Sequence, residues 1–338
     1  MSTLPNIMRA VAATGSVPLD HDRALVDVEL PLPELRPRDL LVEVAAVSVN
    51  PVDVKTRMRR GADAPPAVLG YDAAGTVVAV GPEVTLFAVG DAVYHAGVIN
   101  RQGTNAEYHA VDERIVGRKP ANLTMAEAAA MPLTTITAWE SLFDRFRLTA
   151  DSDGTLLAVA AAGGVGSILT QLATTLTDVT VIGTASRPET QEWVRRMGAQ
   201  HVVDHHGDLA AAVREVAPDG VDRVFTPSTG GRLPVYAELL RPFGAIVAID
   251  EDPDMDPRVL KSKSIAWLWE SMFTRGVYET PDMIGQHDLL DAASALFEDG
   301  RLQSTLTREI AGVDAAGLRE AHALVASGGS IGKIVLTR

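Results

Sequence analysis

A chain of 338 residues with 44 acidic against 30 basic side chains, a formal charge of −14, would repel a phosphate backbone, so no nucleic-acid binding is expected. It contains no cysteine, which excludes disulfides, thiol nucleophiles and cysteine-ligated metals together. At 46% hydrophobic, with no apolar run near the roughly 18 residues of a membrane span, it reads as about two globular domains with no membrane partner.

The opening stretch, MSTLPNIMRAVAATGSVP, lacks a basic start followed by a compact apolar core, so no secretory leader is expected and the cytoplasm is the expected location. The first third carries strand signals. LLVEVAAVSV (residues 40–49), AGTVVAV (74–80) and DAVYHAG (91–97) are short apolar or alternating runs bounded by turns such as Gly81-Pro82 and Gly90-Asp91. Positive charge concentrates only at Lys55, Arg57, Arg59 and Arg60, which reads as a solvated helix face or loop. His95 reads as a structural histidine. From Leu123 the pattern turns helical, with Thr124 as N-cap and Glu127 at the third helical position, a capping box. Pro132 marks a second helix or a kink.

Residues 152–250 then alternate. TLLAVA, DVTVIGTA, HVVD, VDRVFTP and GAIVAID are strand-like, and GVGSILTQLATTL, PETQEWVRRMG, DLAAAVREVA and RLPVYAELLRP between them are helical. That order predicts an α/β, doubly wound parallel sheet with helices on both faces. The stretch KSKSIAWLWESMFTR reads as an apolar interface or cleft wall rather than a base-stacking surface, given the acidic chain. HDLLDAASALFEDG and VDAAGLREAHALVASG read as helices, and GKIVLTR as a short strand that could return to the N-terminal β-rich module.

The segment Ala161-Ala162-Gly163-Gly164-Val165-Gly166 matches GxGxxG with alanine at the first position, directly after a predicted strand and at the start of a predicted helix. Glycine lets the backbone approach a pyrophosphate, and the helix start offers unpaired N–H groups and a favourable dipole. One strand later the chain reads Thr184-Ala185-Ser186-Arg187, with no acid to bond a ribose 2′-hydroxyl. Arg187 and Ser186 suit a 2′-phosphate instead, which favours NADP(H). The loop Thr226-Pro227-Ser228-Thr229-Gly230 follows the fourth strand, at the edge of the sheet where ligands sit, and reads equally as cofactor loop or plain turn.

Taken in order, VSVNPVDVKTR, VLGYDAAGTVVAVG, GDAVYHAG, AAMPLTTITAW, AAAGGVGSILTQLA, TASRPETQEWVRRMGA and GKIVL resemble the medium-chain dehydrogenase/reductases over nearly the whole chain. More narrowly they resemble the zinc-independent quinone oxidoreductase branch, also called zinc-type alcohol dehydrogenase-like. The resemblance implies a GroES-like catalytic domain from residues 1–124 and 270–338, a Rossmann NADP(H)-binding domain from 125–269, and an active cleft at their junction. It places Asn50 by nicotinamide and substrate, Thr137 on the nicotinamide, Gly163, Gly164, Val165 and Gly166 on the pyrophosphate, and Ser186, Arg187 and His205 around the 2′-phosphate. Lys333 is a further cofactor candidate, and Tyr71, with Asn50, a candidate for contact with substrate. It also implies a homodimer through the edge strand of the nucleotide domain.

Two zinc ligands of the metal-dependent relatives have no counterpart: Asn50 stands where a cysteine would, three residues before Asp53, and Tyr71 where the histidine of a GHE motif would. The four-cysteine structural lobe is missing too, so no metal is expected. Without a Lewis acid to stabilise an alkoxide, the implied chemistry is hydride transfer to an acceptor that is already electron-poor, a quinone or an α,β-unsaturated carbonyl. An enone or enal double-bond reductase and a non-enzymatic NADPH sensor remain the alternatives to a quinone reductase.

Overall fold

The computed structural model describes residues 4–15, 17–61 and 64–338. The chain divides into two compact units, one from the residues up to Leu133 with Phe273–Arg338, the other Thr134–Met272.

The first unit opens with β1 (Ile7–Ala13) and β2 (Leu25–Pro31), an antiparallel pair that β4 (Ala67–Val68) extends into a three-stranded sheet. Its centre is β3 (Asp39–Val49), an eleven-residue strand rich in Val, Leu and Ala. β5 (Asp72–Val80) lies antiparallel along one edge of β3, and β6 (Ala92–Ala96) and β8 (Val116–Arg118) continue outward from β5. The other edge of β3 is shared. β7 (Tyr108–Asp112) pairs with residues 39–43, leaving residues 46–49 to another partner.

Two helices of this unit start as the sequence dictates. Thr124 Oγ1 accepts from Glu127 N at 3.1 Å while Glu127 Oε2 accepts from Thr124 N at 2.8 Å, the expected capping box. It caps α2 (Met125–Ala129), ahead of α3 (Pro132–Trp139), which runs on as six residues of π-helix, Glu140–Arg145. α1 (Pro51–Arg59) has proline in its first turn and Asp53 accepting from Asn50 N at 2.7 Å. The side chain of Asn50, the N-cap residue, makes no capping bond. The basic cluster on α1 is not wholly a solvated face: Arg57 is buried and donates to the Val17 carbonyl at 2.7 Å.

The second unit is a single parallel sheet of six strands: β9 (Thr155–Ala158), β10 (Thr180–Thr184), β11 (His201–Val203), β12 (Val221–Thr226), β13 (Leu240–Ala248) and β14 (Ala266–Trp269). The spatial order is β11-β10-β9-β12-β13-β14. The order in which strands are added reverses between β9 and β12, which pair in parallel, and this is the switch point at which doubly wound sheets bind dinucleotides. α4 (Gly164–Leu176) and α5 (Pro188–Arg196) follow β9 and β10. Buried Leu157, Ile182, Val213, Val224, Tyr236 and Ile246 belong to one core cluster of this unit.

β13 begins earlier than GAIVAID suggests, because the helix Leu233–Leu239 stops short of Leu240-Arg241-Pro242. The added residues form an irregularity in the pairing with β12, with Phe243 at φ 66° and exposed. The tryptophan stretch supplies β14, an edge strand on which Trp267 and Trp269 meet edge to face at 5.2 Å.

The chain then re-enters the first unit through the helices Gly285–Glu298 and Ala315–Ala326 and the strands β15 (Leu306–Ala311) and β16 (Lys333–Thr337). β16 takes the vacant edge of β3, pairing Ile334 with Val49 and Thr337 with Ala46, so GKIVLTR does return to the N-terminal module.

Candidate active site

Five chain segments of the first unit meet around Asn50. The end of β3 delivers Asn50, the first turn of α1 delivers Asp53, the first residue of β5 is Asp72, the N-terminus of α3 presents Leu133 N, and β16 begins at Lys333. All four side chains are buried. Lys333 Nζ donates to the Val49 carbonyl at 3.2 Å, to Asn50 Oδ1, and to Asp72 Oδ2 at 3.2 Å. Three acceptors match the three N–H bonds of an ammonium. Asn50 Nδ2 donates to Asp72 Oδ2 at 2.7 Å, so its amide is held between cation and anion in a fixed sense. Leu133 N donates to Asp72 Oδ1 at 2.7 Å.

The structure therefore brings together Asn50 and Lys333, which sequence placed only by resemblance. It adds two residues the sequence reading passed over, Asp72 and Asp53. A hint existed in each case: Asp53 sits at the third position of a helix opened by Asn-Pro, and Asp72 is an acid leading an otherwise apolar strand. Burial pushes the Asp53 carboxyl up to about 7, against the hydrogen bond from Asn50 N and the charge of Lys333. Burial raises Asp72 and lowers Lys333 too, and each opposes the other's shift.

Tyr71 packs edge to face on Phe273 at 5.0 Å and is 2% exposed. Its hydroxyl lies 3.4 Å from Thr56 Oγ1, and burial pushes it up to about 12, so it offers a neutral hydroxyl. These donors do not suit zinc: an amide oxygen already bonded to an ammonium and a protonated phenol replace thiolate and imidazole. No group of three His, Asp or Glu side chains among the described residues could hold a metal ion. His95, fully buried, shares a 2.9 Å hydrogen bond with His109, whose Nε2 lies 3.0 Å from the Gln102 carbonyl. Burial pushes both histidines down, His109 to about 4.

In the second unit the glycine segment forms the turn from β9 into α4. The left-handed residue of that turn is Ala160, at φ 54°, so the first fingerprint position, Ala161, needs no glycine. A Cβ on Gly166 would stand 2.6 Å from both Ala160 O and Ala161 Cα, which would push α4 off the turn. Ala161 is accommodated by its neighbour: a Cβ on Gly183 of β10 would stand 3.0 Å from the Ala161 methyl. Gly163 caps α4 without a side chain, and the first-turn amides of Gly164, Val165 and Gly166 have no helical acceptor. This cradle fits a dinucleotide pyrophosphate.

Ala160 N and Ala161 N donate to Thr184 Oγ1 and Thr184 O, at 2.9 and 3.2 Å, which ties the cradle to the end of β10 where Ser186 and Arg187 follow. Arg187 is exposed and pairs with Glu189 at 2.7 Å. His205 lies beyond β11 with its ring 4.7 Å from that of His206, and burial, then His206 and Arg232, lower its pKa. Thr137 is buried in α3, its carbonyl accepting from Ser141 Oγ at 2.6 Å. The loop after β12 is satisfied internally, with Thr229 N and Oγ1 both donating to Asp250 Oδ2.

A six-stranded parallel sheet with a glycine cradle at its switch point, joined in one chain to a mainly antiparallel unit holding a buried polar cluster, defines a nicotinamide-dependent oxidoreductase. Residues 36–136 match the alcohol dehydrogenase GroES-like domain family and residues 164–286 the zinc-binding dehydrogenase family. The chain belongs to the medium-chain dehydrogenase/reductase superfamily.

It is 45% identical over 306 residues to the zinc-type alcohol dehydrogenase-like protein SAS2087 of Staphylococcus aureus, covering 88% of this chain and 90% of that one. It is 33% identical over 258 residues, 73% of this chain and 63% of the other, to a 2-methylene-furan-3-one reductase of Solanum lycopersicum. Among solved structures, a candidate zinc-dependent alcohol dehydrogenase of Rhizobium etli is 48% identical with a TM-score of 0.94, covering 98% of both chains. The mycobacterial protein Rv1454c, solved with NADPH, is 26% identical (TM-score 0.85) and a Coxiella burnetii quinone oxidoreductase 25% (TM-score 0.80). Each covers 98% of this chain, which spans 100% and 99% of theirs.

Proposed function

We propose that the protein is an NADPH-dependent reductase that passes a hydride to a quinone-type acceptor without metal. The observation that carries this reading is the Lys333 ammonium bonded to Asn50 and Asp72. A fixed cation occupies the neighbourhood where metal-dependent relatives place a zinc ligand, and it cannot expand its coordination to take an alkoxide. Acceptors that need no metal activation are the ones such a site can serve. When bound, the reduced nicotinamide supplies the hydride. The α4 cradle holds the pyrophosphate, and Ser186, Arg187 and His205 surround the 2′-phosphate. Thr137 and Asn50 orient the nicotinamide and acceptor, with Tyr71 as a wall of the acceptor pocket.

The likeness to the tomato reductase favours a second reading, reduction of an activated double bond, which uses the same cofactor geometry. Loss of NADPH absorbance with a panel of quinones and enones tests both. NADPH binding without turnover on any acceptor overturns both and leaves a sensor. We further propose a homodimer through the exposed edge of β14, where Trp269 is 49% exposed. Light scattering on Trp269→Lys, expected to give a monomer, tests it.

A further inference from the structure

A groove of about 750 Å³, the size of a small-molecule pocket, lies at the amino-end edge of the parallel sheet. The cradle follows the carboxyl end of β9, on the other edge. The groove belongs wholly to the second unit: the end of the π-helix, Asp153-Gly154 before β9, and the first residues of β12, β13 and β14 line it. One wall is a bulge. Leu240 pairs with Val221 and Ala245 with Arg223, so Arg241, Pro242, Phe243 and Gly244 stand opposite Asp222 alone. A bulge re-aims the side chains it carries. Here it turns the Phe243 ring into water, 83% exposed, on a left-handed backbone at φ 66°. Arg147, also exposed and lining the groove, is left-handed at φ 56°. Bulky side chains adopt that backbone at a cost, and such residues gather at ligand clamps.

Four arginines line the groove, and two are already committed. Arg145 Nε donates to the buried Glu270 at 2.9 Å, and Arg241 Nη1 bonds Asp222 at 3.0 Å. Arg223 donates to the main-chain carbonyl of Asp153 at 2.9 Å. Neither Arg223 nor Arg147 has an acidic partner among the described residues. Two guanidiniums thus stay available to an anion beside an exposed aromatic ring. Asp144 and Asp153 line the same groove. Their charges oppose a polyanion such as a nucleotide phosphate and favour a ligand with one negative charge.

We propose that this groove is a second ligand site, separate from the cofactor cradle, that takes an aromatic carboxylate. Arg147 and Arg223 hold the carboxylate, whose two oxygens match the planar fork of a guanidinium. The ring packs on Phe243 in the offset or edge-to-face manner of aromatic pairs. The site is independent of the reductase reading: no lining residue belongs to the cradle or to the cluster around Lys333.

Calorimetric titration of the full chain with 2-naphthoate tests the site. Saturable binding is expected in the wild type, with the same affinity in the presence of NADPH. The neutral 2-naphthalenemethanol, with the same ring, should bind on the order of 10-fold more weakly, because charge-assisted hydrogen bonds are the stronger ones. Arg147→Gln should weaken naphthoate on the order of 10-fold. Phe243→Ser should weaken it about 3- to 10-fold. Absence of saturable binding at millimolar naphthoate, or equal affinity for the alcohol, overturns the proposal, and neither reading needs a variant to fold. Competition by NADPH places the probe in the cradle and overturns it as well. So does an unchanged affinity in either variant, or ADP binding more tightly than naphthoate without displacement by NADPH.

Discussion

Lys333 and Asp72 meet at 3.2 Å across 261 positions of sequence, with 4% and 0% of their side chains exposed. Removing one partner of such a pair strands the other. Lys333→Met should cost about 3–5 kcal/mol in denaturant unfolding, and the double variant Lys333→Met with Asp72→Asn should recover part of that loss. A single variant as stable as the wild type would show that the pair is not charged in the folded chain.

Asp53 sets a pH dependence of stability. The folded chain keeps this proton up to about 7, whereas an ordinary carboxyl releases it near 3.8. The folded state thus binds more protons across that window, so its contribution to stability is full below 3.8, falls as pH rises, and is gone above 7. The change amounts to about 4 kcal/mol. Asp53→Asn should flatten this part of the profile, as read by thermal unfolding from pH 5 to 8.

The cradle is sterically exact at two glycines. Gly183→Ala would drive a methyl to 2.4 Å from Val194 Cγ1 and 3.0 Å from that of Ala161. Gly166→Ala meets backbone at 2.6 Å, which cannot turn aside as a side chain can. Both should destabilise by about 1–3 kcal/mol. Gly166→Ala should in addition weaken binding of NADPH and NADH alike, measured by fluorescence titration.

Cofactor choice should reside in Arg187. Arg187→Ala is expected to weaken NADPH roughly tenfold or more and to leave NADH unchanged, since a hydrogen bond to a charged group contributes about 1.5–3 kcal/mol. Glu189→Gln, which frees the guanidinium from its 2.7 Å pair, should tighten NADPH. Equal affinity for the two cofactors in the wild type would remove the assignment.

His322 is fully buried, and neither ring nitrogen has a partner. Burial and Arg57 push it down to about 4. Its folded pKa is depressed, so stability is lost as pH falls from the ordinary 6.5 through 4. His322→Leu should raise the thermal midpoint, with the gain growing toward pH 4.5.

Much of this architecture is legible in the amino-acid order, because the signals are local. The alternation from TLLAVA to GAIVAID, the Thr124–Glu127 box and the cradle each depend on residues within one or two turns of one another. The buried cluster is not local. Asp72 could be read as a turn residue before a strand, and nothing near it in sequence announces Lys333. Asn50 looks like an N-cap, yet its side chain turns away from the helix toward partners 22 and 283 residues on. β1, β2 and β7 are less plain: β7 is five residues long with polar ends, and β1 and β2, though apolar or alternating, are not set off by an adjacent turn pair such as Gly81-Pro82. Ala161, an apparent defect in the fingerprint, is explained by Gly183 one strand away.

The shared edge of β3 sets a timetable for biosynthesis. Lys333 follows Val49 by 284 residues, so at ordinary translation rates about 15–60 s separate the emergence of the two edges. The contiguous nucleotide unit can fold on the ribosome during that interval. The first unit cannot, and residues 46–49 remain an open strand edge for the whole of it. Nascent chains stalled before residue 333 would therefore combine a finished nucleotide sheet with an aggregation-prone stub, a natural client for chaperones that bind extended apolar segments.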